Sequence, residues 1–179
     1  MNGELFESKP LVRGECVFSP DRIFRYVLKR TWDPDGRDPL VVIGLNPSKA
    51  DEWEDDPTIR RCMSFAKREG AGGLVMLNLF AFRSTDPDVM FLAAKDVAGI
   101  DVVGPNNDFY IARETTPPRR VVVAWGNDGE KKAARGRART LTVNLKAARA
   151  RLCCFGRTTR GAPLHPLYLP GDTRLEDYA

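Results

Sequence analysis

The chain has 179 residues, 42% of them apolar, which suits one domain spanning residues 1–179 with its core at about 24–170, and leaves too little for two. Its formal net charge of +4, from 28 Lys and Arg against 24 Asp and Glu, fits an anionic partner. The first ten residues carry no basic segment followed by an apolar stretch, and no run of 18 apolar residues follows, so the expectation is a cytoplasmic monomer with no membrane contact.

Taken in chain order, residues 24–32 alternate enough to read as a half-exposed strand, and Asp33-Pro34-Asp35-Gly36 is a strong turn signal after it. Val41-Val42-Ile43-Gly44-Leu45-Asn46-Pro47-Ser48 is an apolar β-branched run that stops on Gly, Asn and Pro. Such a run predicts a buried strand whose carboxyl end delivers Asn46 into a loop, where open α/β sheets place ligand chemistry. Next, Asp56 is placed to cap a helix with Pro57 at its first position, Ile59, Cys62, Met63 and Ala66 as its apolar stripe and Gly70 as its end.

Leu74-Val75-Met76-Leu77-Asn78 repeats the design of the first run. Thr85-Asp86-Pro87 predicts a short helix towards Lys95, and Gly104-Pro105 opens another that contains Asn106, Asn107, Asp108 and Tyr110. Val121-Val122-Val123-Ala124-Trp125-Gly126 and Leu152-Cys153-Cys154-Phe155-Gly156 are the third and fourth apolar runs. The segment between them, residues 128–150, is expected to be mainly helical and basic outside, with Leu141, Val143 and Leu145 for packing.

Continuous apolar runs mark parallel strands covered on both faces. The expected architecture is therefore three-layer α/β/α, with a mainly parallel four-stranded sheet and an antiparallel N-terminal edge strand. Asn46, Asn78 and Trp125 would share one rim of that sheet, joined by the single histidine, His165.

Cys16, Cys62, Cys153 and Cys154 contain no Cys-x-x-Cys pair and read as reduced, packed thiols; no metal and no cofactor are expected. Lys131, Lys132, Arg135, Arg137, Arg139, Lys146, Arg149 and Arg151 crowd one segment, and Asp51, Glu52, Glu54, Asp55 and Asp56 another. A clustered basic face suits a phosphate backbone, with a solvated helix face as the plainer alternative.

The succession Gly44-Leu45-Asn46-Pro47-Ser48, Leu77-Asn78-Leu79, Ala124-Trp125-Gly126 and His165-Pro166 resembles the motif order of the uracil-DNA glycosylase superfamily. With Asp55-Asp56-Pro57-Thr58-Ile59-Arg60-Arg61-Cys62, Asn78-Leu79-Phe80, Gly104-Pro105-Asn106-Asn107-Asp108 and His165-Pro166-Leu167-Tyr168, the whole pattern from about residue 25 to 170 resembles more closely an uncharacterised bacterial and phage family of unknown function. The superfamily resemblance implies a glycosylase-like fold, DNA or a nucleotide as partner, and roles residue by residue. Asn46 would orient the attacking water, Asn78 would read the edge of a flipped base, and His165 would face the base oxygen on which charge grows. Gly44, Pro47 and Ser48 would complete the base-binding loop, with Trp53, Phe80 or Phe82 stacking on the base and Leu167 or Tyr168 as the wedge. Arg60, Arg61, Arg83, Lys131, Lys132 and Arg135 would meet phosphates.

The chemistry agrees with that division. Breaking an N-glycosidic bond makes an oxocarbenium-like sugar and an anionic base, which calls for a placed water and fixed donors near the base. An Asn orients water and cannot take its proton, so the reaction is expected to be slow or to need a good leaving group unless a nearby carboxylate, with Asp51, Asp55 and Asp56 as candidates, assists. Two other classes fit the same residues: a metal-dependent phosphohydrolase or nuclease using the acidic run, and a base- or nucleotide-binding module without catalysis.

Overall fold

The four apolar runs form the centre of a seven-stranded mixed sheet in the computed structural model, which describes residues 12–33, 37–95, 100–116 and 119–178. The strands are β1 (Arg13–Phe18), β2 (Arg25–Thr31), β3 (Leu40–Gly44), β4 (Gly73–Asn78), β5 (Arg120–Val123), β6 (Arg151–Cys154) and β7 (Glu176–Asp177). Their order across the sheet is β1-β2-β4-β3-β5-β6-β7. Four helices are described, α1 (Pro57–Arg68), α2 (Pro87–Ala93), α3 (Asn107–Glu114) and α4 (Lys132–Ala147), with 3-10 turns at Asn127–Glu130 and Pro166–Tyr168.

β4, β3, β5 and β6 are parallel and β2 runs antiparallel to β4, as the apolar runs and residues 24–32 predict. The sheet is nevertheless wider than expected. β1 covers β2 and β7 covers β6, both antiparallel, so β2 is internal and mostly buried rather than a half-exposed edge. Neither added strand carries an apolar run: β1 reads RGECVF and β7 is two exposed acidic residues. A two-residue strand such as β7 leaves no periodic signal, and β1 carries charged residues among its apolar ones; charge and shortness at sheet edges also discourage pairing with another chain. The Asp33-Pro34-Asp35-Gly36 turn lies outside the described residues except for Asp33.

Alternate residues of the parallel strands enter two apolar clusters. Leu40, Val42, Leu74, Met76, Val122 and Cys153 pack with Ile59, Cys62, Phe65 and Ala66 of α1. Val41, Ile43, Val75, Leu77, Val121 and Cys154 pack with Met90, Ile111, Ala138, Leu141 and Leu145 of α2, α3 and α4. Helices therefore cover both faces, which is why the strands lack alternation in sequence. Val143 is 58% exposed and takes no part, and the adjacent thiols Cys153 and Cys154 face opposite clusters. All four cysteines are free.

The helix starts follow their signals. Asp56 accepts from Ile59 N at 2.9 Å with Pro57 in the first turn of α1, and Asp86 accepts from Asp88 N at 2.8 Å ahead of Pro87 and α2. The acidic loop before α1 is tied to the sheet by Arg30 of β2, which is 3% exposed. Its Nε donates to Asp55 Oδ1 at 2.8 Å and its Nη2 to Asp51 O at 2.6 Å.

β1 and β2 also share an irregularity that matters for the site. Val17 pairs with Val27 and the next residue, Phe18, pairs with Arg25, so β2 bulges at Tyr26. Tyr26 and Val27 both enter the cluster of α2 to α4, whereas Arg25 reaches Ala50 O and Asn78 on the side of α1. The bulge has changed the phase of the strand and turned Arg25 to the other face.

Removing the Arg30 anchor strands Asp55 and the carbonyl of Asp51. Arg30→Met is expected to lower the unfolding free energy by about 3 kcal/mol, the scale for breaking a buried ion pair. Urea unfolding checks this through the midpoint at unchanged slope; a loss within error of zero would show that α1 and its cap position the loop alone.

Candidate functional site

β3 is followed in sequence by β4 on one side of it in the sheet, while β5 lies on its other side, so the strand order reverses between β3 and β5. Ligands of open α/β sheets bind at such switch points, beyond the carboxyl ends of the strands. A cavity of about 500 Å³ opens there, within the usual range for small-ligand sites. Asn46 comes to it from β3, Asn78 from β4, Trp125 and Gly126 from β5, Asp56 from the start of α1, and His165, Leu167 and Tyr168 from the segment after β6.

The exits of β3 and β4 are strapped together. Asn46 Nδ2 donates to Ser84 O at 2.8 Å and to Pro47 O at 3.2 Å, and Ser84 N donates to Pro47 O at 2.9 Å. This fixes the carboxamide and leaves Oδ1 of Asn46, a half-buried residue, as its acceptor. Asn78 is 2% exposed, and its backbone is held from behind by Asn107, whose Nδ2 donates to the carbonyls of Asn78 and Leu79 at 3.1 Å each. Gly44 stands directly opposite Asn78 in the parallel ladder. A Cβ on Gly44 would lie 3.0 Å from Asn78 Nδ2 and 2.8 Å from Met76 Cε, so only glycine lets the amide lie over the strand end.

His165 follows a narrow two-stranded turn in which Arg157 pairs with Pro163 and Leu164 N donates to Gly156 O at 2.9 Å. Gly126, at φ +67°, donates its N–H to Pro163 O at 3.0 Å and so attaches this segment to the end of β5. Leu167 N donates to His165 Nδ1 at 3.4 Å, which leaves the ring proton of neutral His165 on Nε2. Burial holds the His165 imidazolium below its ordinary value, against the opposing pull of Asp56 and Asp128, so the ring is neutral at neutral pH. Asp56 Oδ1 is committed to the cap of α1, with its second oxygen available to the cavity.

Arg25 is the site residue that sequence reading missed. It is 2% exposed and lines the cavity beside Asn78. Its Nη1 donates to Ala50 O at 2.8 Å and its Nη2 to Asn78 Oδ1 at 3.5 Å, while Nε is sealed in without an acceptor. Burial pulls its ordinary value down to about 10, so the group stays charged at neutral pH. An Arg beside Tyr26, Val27 and Leu28 was the available signal, but strand alternation assigns it the wrong face unless the bulge is known.

Other expected site residues lie elsewhere. Ser48 lines the cavity, and Pro47 is buried beside it as part of the strap. Trp53 is 87% exposed and does not line the cavity. Phe80 is core, edge-on to Phe91 at 6.1 Å, and Phe82 packs edge-on to Phe24 at 6.2 Å. The aromatic rings that do line the cavity are Trp125, buried with its Nε1 partnerless, and Tyr168, 87% exposed at the rim. Asp51 Oδ1 accepts from the N–H groups of Trp53 and Glu54 at 2.8 Å each, and Asp55 pairs with Arg30. Asp51 is thus committed to its own loop, Asp55 to Arg30 and Glu52 to Arg22, Asp56 alone of the run lines the cavity, and among the described residues no three His, Cys, Asp or Glu side chains group as a metal site.

The expected phosphate contacts divide similarly. Lys131 pairs with Asp88 and Asp128, Arg135 with Glu130 and Arg137 with Asp108, and no described residue of α4 lines the cavity. The side chain of Lys132 lies outside the described residues. Arg60 donates to the carbonyl of Asp55, and the Arg61 guanidinium lies 5.0 Å from the Phe65 ring centre. Arg83 does border the site. With Arg22 and Lys49 it lines an open groove that meets the cavity at Ser48, Ser84 and Thr85. Arg22 and Arg83 both lie over Phe18, at 3.9 and 5.0 Å, and Glu52 offsets Arg22 alone.

His165 is the sole histidine, so its titration is read without ambiguity. The expected nuclear magnetic resonance midpoint lies below 6.5, and His165→Gln removes the signal. Because the folded value lies below the unfolded one, the unfolded chain takes up the proton first. Stability from this group is full above pH 6.5 and declines as pH falls through 6.5 towards the folded value. A midpoint above 6.5 would mean that Asp56 and Asp128 outweigh burial.

Among the described residues no helix is long and apolar enough to cross a membrane. No curated protein and no solved structure matches the chain. A family model described as "Protein of unknown function (DUF1643)" matches residues 25–167, from the buried arginine of β2 to the turn after His165. The match takes in every strand that forms the cavity, and the chain belongs to this family of unknown function.

Proposed function

We propose that the protein hydrolyses the N-glycosidic bond of an altered base in DNA, on an α/β/α framework like that of the uracil-DNA glycosylases. The convergence of Asn46, Asn78, His165 and Asp56 on one switch-point cavity carries the proposal. Asn46, with its amide nitrogen committed to Ser84 O, offers Oδ1 to a water. Asp56 accepts that water's proton through its free oxygen as the water oxygen bonds to the sugar carbon. The electron pair of the breaking carbon–nitrogen bond passes to the base, where the Nε2–H of neutral His165 and the Asn78 amide receive the charge. The groove of Arg22, Lys49 and Arg83 supplies a path for the phosphates of the strand that bears the base.

The tether on Asn46 also favours a second possibility, a base-binding module in which this amide only straps two loops. The two differ in one assay: release of the base from single- and double-stranded oligonucleotides carrying uracil, hydroxymethyluracil, hypoxanthine or mismatched thymine, in the presence of chelator. The expected result is release by the native chain, lowered about 10² to 10³-fold in His165→Ala and Asn46→Ala. Asp56→Asn, which keeps an N-cap, is expected to lose about 10² to 10⁴-fold without unfolding. Binding without release would select the module, and release only with magnesium would return the acidic run to consideration.

Oligonucleotide affinity tests the groove separately. Lys49→Gln and Arg83→Gln are each expected to reduce the slope of log affinity against log salt by about 1, whereas Arg135→Gln leaves it unchanged. Equal effects from all three would move the strand onto α4.

A further inference from the structure

Arg25 is a buried cation whose only described hydrogen-bond acceptors are a carbonyl, Ala50 O, and an amide oxygen, Asn78 Oδ1, with Asp56 near enough to act on its charge but not bonded to it. Taking a charged group out of water is costly unless it is paired, and a guanidinium beside a cavity with no carboxylate bonded to it needs a reason. The bulge at Tyr26 supplies the placement: it turns Arg25 from the face of α2 to α4 to the face of Gly44 and Asn78. Bulges of this kind re-aim side chains near sites.

The consequence falls on Asn78. A carboxamide can present either its oxygen or its nitrogen, but a guanidinium has donors only. With Arg25 on one side, the oxygen of Asn78 must turn to Arg25 and its NH₂ must turn away, over Gly44, where there is no Cβ to block it. That nitrogen donates to no described acceptor and is not among the sealed, partnerless atoms, which include Arg25 Nε and Trp125 Nε1. It therefore opens on the cavity as a donor. His165, whose Nδ1 is occupied by Leu167 N, adds a second donor through Nε2.

Resting on the base-pocket reading above, we propose that Arg25 is the specificity-determining positioning residue of the site. By locking Asn78 as a donor, it makes the cavity accept a nucleobase edge that carries an oxo group and reject one that carries an amino group. The positive charge behind the amide also strengthens its N–H bonds to such an oxygen. An amino edge would set donor against donor, leaving both buried and unpaired.

The test is equilibrium binding of free bases in two matched pairs, uracil against cytosine and hypoxanthine against adenine, followed by nuclear magnetic resonance at pH 7. No base release is needed. The native chain is expected to bind the oxo member of each pair at least about tenfold more tightly. Arg25→Met, which frees the Asn78 amide to turn over, is expected to bring the members of each pair within about threefold, while the dispersed amide spectrum reports that the fold is kept. Asn78→Asp puts an acceptor in place of the donor, forms an ion pair with Arg25, and is expected to reverse the preference towards cytosine and adenine. It provides the second arm should Arg25→Met unfold.

Equal binding of oxo and amino bases by the native chain, or full discrimination kept by folded Arg25→Met, overturns the role of Arg25 and leaves the base pocket standing. Retained oxo preference in Asn78→Asp overturns it equally. Failure of every base to bind at high concentration overturns the base pocket and this inference together.

Discussion

The hydrogen-bonded ladder on both sides of β3 is the constraint on which the rest depends. β3 pairs in parallel with β4 over residues 40–44 and with β5 over residues 41–43, so the carboxyl ends of three strands must finish at one level. Side chains alternate strictly along a strand, and a slip of one residue would send Asn78 to the opposite face and put a side chain where Gly44 now admits its amide. The register that buries Val42 and Met76 against α1 is thus the same register that creates the site.

Around that rim, polar groups hold loops that apolar packing alone would leave free. Asn46 bridges the exits of β3 and β4, Asn107 supports the backbone of Asn78 and Leu79 from α3, and Arg30 holds the acidic loop ahead of α1. The Pro166–Tyr168 turn packs on α1, whose amino end carries Asp56 into the same cavity. Each of these groups reaches across many residues of sequence, so the cavity exists only where the sheet brings its loops together. Arg25 adds a buried charge to this network, and its hydrogen bonds to neutral oxygens alone distinguish it from Arg30, which has a hydrogen-bonded carboxylate.

Charge along the chain was a poorer guide than charge in space. The densest basic segment, around α4, is partly offset by acids, some distant in sequence, Asp88 for Lys131 and Asp108 for Arg137, and some adjacent, Asp128 for Lys131 and Glu130 for Arg135. Arg22, Lys49 and Arg83 are scattered in sequence, yet they line one groove that joins the cavity. The aromatic residues behaved in the same way. Phe80 follows a strand end closely enough to look like a pocket residue, but Phe91 and the core claim its ring.

The four parallel strands, the cap at Asp56, the helix start at Asp86-Pro87, and the rim position of Asn46, Asn78, Trp125 and His165 were legible in the sequence by itself. They depend on local pattern: β-branched runs ended by amides, and Asp-Pro before a helix. The outer strands β1 and β7, the burial of β2, the pairing of α4 charges, the exposure of Trp53 and the entry of Arg25 into the site were decided only in the tertiary structure. The physical reason is the same in each case. A side chain's environment is set by partners far along the chain, and at β2 a single bulged residue, visible only when β1 is paired to it, reverses which face every residue before it presents.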